Sequence, residues 1–310
     1  MNPLRIFLLA ALVLVVFGMN TSAETEPIAH WSFDEGEGNI AHDESGNGND
    51  GTLENGPIWV DGIDGGALEF DGVDDYVQIE NSNSGDDSNI GTILGDGSFS
   101  ASLLYKASAN PGSNDWDFLI DQRITEDYGN GWYIMNDGRE SNKISFGIAV
   151  SADAEIVTQS TTSILSNTWY HIVATYNGSH SKLYINEYLE GTIYVGSREN
   201  NTSDMTFGSR FSANERYLSG IIDEVIIWNR TLSSEEIADI YDSYNLSLPC
   251  QTGDSKIADD GCNQCVCNDG NWVCTETDCA VSEDEEGLLP SLSLHTSLIS
   301  IGLLAIFRRK

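Results

Sequence analysis

The sequence predicts an all-β protein: a two-sheet antiparallel sandwich or jelly roll, followed by a small disulfide-rich three-stranded module. Three observations carry this. Most of the chain reads as short alternating apolar runs broken by Gly, Asn and Asp, with no strand-helix-strand rhythm. Only 234–244 has a helical pattern. All six cysteines fall between Cys250 and Cys279, the signature of a stapled module in an exported chain.

The ends come first. Arg5, the apolar run Phe7–Phe17 and Thr21-Ser-Ala23 read as a signal peptide over 1–23, so the mature chain is expected to begin near Glu24, outside the cytoplasm. Five Asn-x-Ser/Thr sequons, at Asn177, Asn200, Asn201, Asn229 and Asn245, fit that location. The net charge is -35 and the pI about 4.1. Such a surface argues against nucleic-acid or anionic-lipid partners, which need Lys/Arg stripes, and suits divalent cations or simple solubility. At the other end an acidic linker, 281–287, leads into an apolar stretch, 288–310, closed by Arg308-Arg309-Lys310. Its length and basic end predict a membrane span or a cleaved sorting tail, and a cell-surface location.

Between these ends the strands follow in order. Ala29, Trp31 and Phe33 alternate in the first. Residues 43–51 are turn chemistry. Leu68 and Phe70 precede an Asp-Gly turn, and 76–79 resumes. Runs at 99–107, 116–121, 132–135, 143–150 and 168–176 follow, then 182–185, with Asn186-Glu187 as a hairpin turn to 188–193. Residues 205–208 and 221–228 complete the set. Ser233-x-x-Glu236 is a capping box, with Ile237, Ile240 and Tyr241 on one helix face. Trp132 and Trp169 are expected in the core, and His30, His42 and His171 in structural roles.

Six motifs occur in order: residues 29–36 (AHWSFDEG), 43–47 (Asp-x-Ser-Gly-Asn), 66–77 (GALEFDGVDDYV), 169–176 (WYHIVATY), 182–186 (KLYIN) and 222–228 (IDEVIIW). Together they resemble a laminin-G-like domain of the concanavalin A-like superfamily over 24–248. The resemblance implies a jelly roll and a choice among carbohydrate binding, adhesion and spacing.

Catalytic members of that superfamily carry Glu-x-Asp-x-x-Glu, with two carboxylates on one side of a strand about 5–5.5 Å apart for a retaining reaction. The domain has no such triplet, so no catalytic residue is expected. Asp223 and Glu224 are adjacent, and strict alternation would send one to each face. An acid facing the interior needs a partner, and a calcium ion is the expectation. Asp34 and Asp223, on the first and last strands, are the expected ligands, with Asp71, Asp74 and Asp75 as a second cluster; the alternative is that these acids cap turns. For a glycan, the candidate contacts are Trp116, Tyr128 and Trp132, in loops rich in Asn and Asp, with a place in the core the alternative for Trp132.

The cysteine pattern Cys250-x11-Cys262-Asn-Gln-Cys265-Val-Cys267-x2-Gly270-x3-Cys274-Thr-x3-Cys279 resembles the pacifastin family of small serine-protease inhibitors over 249–280. The resemblance implies bridges Cys250–Cys267, Cys262–Cys279 and Cys265–Cys274, and a reactive bond at Glu276–Thr277. The family usually has Arg, Lys or Leu where this chain has Glu276, so only a Glu-preferring protease would be a target. The sequence thus predicts a surface-anchored, non-catalytic binding protein for a glycan or surface protein. The rival reading is a protease inhibitor with the sandwich as targeting arm.

Overall fold

The computed structural model describes residues 26–80, 90–108, 116–123, 130–140, 142–151, 154–198, 203–210, 216–246, 255–257, 264–268 and 271–274. The chain divides into two compact units between Leu248 and Pro249.

The first unit is a sandwich of two eight-stranded antiparallel sheets. In chain order its strands are β1 (Ala29–Trp31), β2 (Ile40–Ala41), β3 (Gly51–Glu54), β4 (Ile58–Asp61), β5 (Gly66–Asp71), β6 (Tyr76–Ile79), β7 (Phe99–Ala107) and β8 (Trp116–Arg123). There follow β9 (Gly131–Asp137), β10 (Lys143–Ser151), β11 (Ala154–Ser163), β12 (Trp169–Tyr176), β13 (His180–Ile185), β14 (Tyr188–Tyr194), β15 (Met205–Phe207) and β16 (Ser219–Trp228). The first sheet runs β14-β13-β12-β7-β16-β5-β4, with β1 on β16; the second runs β11-β10-β9-β8-β15-β6-β3-β2. Ile185 pairs with Tyr188 across the two-residue turn, where Asn186 takes φ 53 as expected of Asn.

The core lies between the sheets. Trp31, Phe33, Phe99, Trp132, Phe146, Tyr176 and Phe207 are fully buried there, and their apolar area dominates the stability. Phe33 is held at φ 61, which is unfavourable for a bulky residue; its ring packs edge-on against Phe207 at 6.3 Å. Asp43 fixes the first strand in place. Its Oδ1 accepts from the amides of His30 and Ser45, and its Oδ2 from the amide and Nδ2 of Asn49. Those bonds outweigh burial and hold the Asp43 pKa below its ordinary value. Asn47 donates to Ile28 O, so the Asp-x-Ser-Gly-Asn motif works as a tie between a loop and β1.

At the far side, the Glu190 carboxylate of β14 accepts from the amides and hydroxyls of Thr161 and Thr162 on β11, joining the two sheets.

Two helices accompany the sheets. The short α1 (Ile90–Leu94) was not expected: five residues are too few to show a period. The second, α2 (Ser234–Ser243), has the expected capping box, with the Ser233 hydroxyl accepting from the Glu236 amide and Glu236 accepting from the Ser233 amide. It covers the outer face of the first sheet, packing Ile237 with Val173, Tyr184, Trp228 and Leu232.

Trp132 is fully buried, as expected, but Trp169 is only partly buried, with the Lys106 ammonium 4.9 Å above its ring. His171 is enclosed, bonded to Ser102 at 2.7 Å and flanked by Tyr241 and Tyr244. Burial pulls its pKa down to about 3, so it is a neutral structural residue.

The second unit contains a three-stranded antiparallel sheet of β17 (Ser255–Ile257), β18 (Gln264–Asn268) and β19 (Asn271–Cys274). Its register sets Cys265 opposite Cys274. The expected signal peptide, tail, reactive bond Glu276–Thr277, and Cys250, Cys262 and Cys279 lie outside the described residues.

Candidate functional site

The expectation that Asp223 and Glu224 face opposite ways is corrected by the backbone. β16 advances three residues from Asp223 to Ile226 while β7 advances two, from Leu104 to Ser102. This is a β-bulge, and Glu224 sits in it at φ 50. Ile222, Val225 and Ile227 therefore all enter the core, and neither acid does. Sequence alternation could not register the extra residue.

β1 does pair with β16, so the first and last strands are neighbours. Asp34 and Asp223 reach the same turn, that joining β4 to β5. Asp34 Oδ1 accepts from Gly66 N at 2.6 Å; Asp223 Oδ2 accepts from Ile63 N at 2.8 Å and Asp64 N at 3.4 Å. A side chain at Gly65, which has φ 78, would collide with the Asp34 carboxylate. Asp223 Oδ1 is buried without a partner, and burial pushes the Asp223 pKa up to about 7. These two acids thus organise a turn through backbone amides.

Among the described residues, the one group of three acidic donors with atoms within 4.8 Å of one another is Asp71, Asp74 and Asp75, at the β5–β6 turn. Asp75 is buried and accepts from Asp71 N, while Asp71 accepts from Val73 N. Burial, with the charges of Asp71 and Asp74, raises the Asp75 pKa. Three carboxylates at a glycine turn match the donor chemistry of calcium, and two of them also cap the turn.

The outer face of the second sheet is different in character. On β9, Trp132 and Ile134 point into the core, so Tyr133 and Met135 point out. With Phe118 they form a cluster outside the main core, against which Trp116 packs. Asp121 and Arg123, two apart on β8, share this face. Arg123 donates Nε to Asp121 Oδ1 at 2.9 Å and Nη2 to Oδ2 at 2.6 Å, a bidentate pair. The guanidinium lies 4.3 Å from the Tyr133 ring centre and 5.0 Å from that of Phe118. Burial pulls its pKa down, but Asp121 outweighs burial and keeps it above the ordinary value. The Tyr133 hydroxyl bonds to Glu155 of β11, whose own pKa is raised by burial. Gly147 lies beneath the Tyr133 ring, and any Cβ there would strike it. At the end of the row Trp116 is partly exposed, with the Arg216 guanidinium 3.4 Å over its ring.

This side of the sheet therefore aligns Trp116, Arg216, Phe118, Arg123, Tyr133 and Glu155; Phe118, Arg123 and Tyr133 are buried, and Trp116, Arg216 and Glu155 are partly exposed. The sequence pointed to Trp116 alone. Asp121 and Arg123 were findable, since alternate positions on one strand share a face; Tyr133 and Glu155 depend on strand register. Tyr128 lies outside the described residues. Of the five sequons, Asn177, Asn229 and Asn245 are exposed; Asn200 and Asn201 lie outside the described residues.

A model of the concanavalin A-like lectin/glucanases superfamily, Laminin_G_3, matches residues 71–238, more than half of the 310-residue chain. The chain belongs to this family. Among solved structures it is similar to the binding domain of Paraclostridial Mosquitocidal Protein 1, at 16% identity and TM-score 0.58, over 78% of this chain and 63% of that one. It is similar to the binding domain of botulinum neurotoxin DC in complex with rat synaptotagmin II, at 18% identity and TM-score 0.55, over 73% and 54%. Domain 4 of AbnA, a GH43 extracellular arabinanase from Geobacillus stearothermophilus, in complex with arabinotriose, matches at 17% identity and TM-score 0.55, over 70% and 98%. The chain thus spans between half and two thirds of the toxin domains and nearly all of the arabinanase domain. At these identities the likeness establishes the fold. No curated protein matches.

Proposed function

We propose that this protein is a non-catalytic binding protein that recognises carbohydrate, or a protein at a surface, with the outer face of its second sheet. The observation that carries the reading is the row running from Trp116 to Glu155 on the second sheet, where Trp116, Arg216 and Glu155 are partly exposed over a buried base of Phe118, Tyr133, Asp121 and Arg123. The Trp116 plane stacks on sugar C–H faces, and the Arg216 guanidinium and Glu155 carboxylate read hydroxyls, while the buried residues beneath hold them in place. For calcium we favour Asp71, Asp74 and Asp75, whose carboxylates gather at one turn; at the other candidate pair, Asp34 Oδ1 and Asp223 Oδ2 accept from turn amides, leaving one oxygen of each. The test is a glycan array with the full chain, with calcium and with chelator, repeated with Trp116→Ala. Hits lost in Trp116→Ala support the reading; an array blank in every condition removes the carbohydrate half of it. A melting temperature unchanged by chelator removes the metal.

The sequence supports an exported chain anchored at the cell surface by its tail. A second role rests on the second unit: the Cys265–Cys274 register matches the bridge that the pacifastin resemblance implies. Inhibition of a Glu-preferring serine protease, abolished by Glu276→Ala, would establish it.

A further inference from the structure

A separate cavity of about 830 Å³ opens on the first sheet where β4 meets the loop after β1. Its lining includes Trp59, Val60, Asp61, Asp34 and Gly65. The Trp59 indole is partly buried against the core and fixed by its N–H bond to Gly38 O at 3.0 Å. The Asp34 carboxylate is fixed by Gly66 N. Asp61 is exposed. Among the described residues that line the cavity, two are carboxylates, one is an indole and none is basic. An anion is therefore repelled, and the chain's net charge of -35 steers cations toward it.

We propose that this cavity binds the ammonium or guanidinium group of a basic peptide segment on a partner protein. The indole supplies a cation–π surface, and Asp34 and Asp61 supply the opposing charge. A rigid aromatic beside paired charges, with its rotamers already fixed, is the composition of an interface hot spot. The site lies on a different sheet from Trp116, so it acts independently of the face proposed for carbohydrate.

The experiment is a titration of the ¹⁵N-labelled full chain with acetyl-tetralysine amide and acetyl-tetraarginine amide at physiological salt. The Trp59 indole N–H, assigned with Trp59→Phe, reports binding. A saturable shift is expected, with affinity about tenfold weaker in Trp59→Ala and several-fold weaker in Asp61→Asn. Asp242→Asn, an exposed acid on α2 that changes the charge equally, should change affinity less than about twofold. If Trp59→Ala does not fold, Asp61→Asn against Asp242→Asn decides. No shift, or equal losses in those two variants, overturns the proposal, the second because the binding would then be diffuse charge. A shift given by neutral arabinotriose and not by the peptides overturns it in favour of a sugar subsite.

Discussion

His30 Nε2 lies 2.7 Å from Glu224 Oε2, joining residues 194 apart in the chain. The bulge in β16 turns Glu224 outward to meet the outward-facing residue of β1. Burial pulls the His30 pKa down, but the bond and charge of Glu224, helped by Glu44 and Asp43, outweigh it and raise the pKa above 6.5. This contribution is complete below pH 6.5 and is lost as pH rises through the folded-state value. Asp223 acts in the same direction. Its pKa rises from 3.8 to about 7 on folding, so stability falls as pH rises from 3.8 to about 7, and the loss is complete above that. The melting temperature should therefore fall by several degrees between pH 5 and pH 8. Asp223→Asn should recover part of that loss, with a larger gain at pH 8 than at pH 5. Circular-dichroism melts of both proteins would show it; a flat profile for the native chain would refute the assignment.

Gly147→Ala should damage the proposed carbohydrate face with little effect elsewhere. The added methyl meets the Tyr133 ring, and β10 pairs on both sides, so the ring must move. A loss of about 1–3 kcal/mol is expected from overpacking, with displacement of the Tyr133 ring resonances. Unchanged Tyr133 shifts would count against the packing described.

Asp121→Asn removes the bidentate partner of buried Arg123, leaving only the more distant charge of Glu155 to balance it. Breaking a buried pair in this way costs about 3–5 kcal/mol. Replacing both residues with apolar ones should recover much of this. Urea denaturation of the single and double variants measures the difference, and a single variant as stable as the native chain would contradict it.

Ser233→Ala removes the hydroxyl that caps α2. About 1 kcal/mol should be lost. Because α2 covers Trp228, hydrogen exchange should quicken in α2 and on the outer face of the first sheet before it does in the core. Equal acceleration in both places would mean that α2 is not an independent cover.

Much of the sandwich was legible from alternation. The run 99–107 matches β7 to the residue, and the hairpin at Asn186 follows from a residue that tolerates positive φ. β11 was not legible: AEIVTQSTTS offers hydroxyls where a buried strand shows large apolar groups, because it lies at a sheet edge. The short β2, β3 and β4 lack the length to display a period. Within the site, Asp34 and Asp223 did arrive at one turn, as expected from neighbouring first and last strands. Their use was hidden, since amides such as Ile63 N leave no mark in a sequence. The bulge was hidden too, because Asp223 and Glu224 are compatible with either register.

Glu190 has a consequence beyond joining two strands. β14 exposes Tyr188, Leu189 and Tyr194, a surface that would ordinarily invite another chain to extend the sheet. A foreign strand approaching on the β11 side would have to displace a carboxylate already held by four donors from Thr161 and Thr162. A sticky surface is thereby kept from becoming a template, which separates a protein that touches its neighbours from one that polymerises with them.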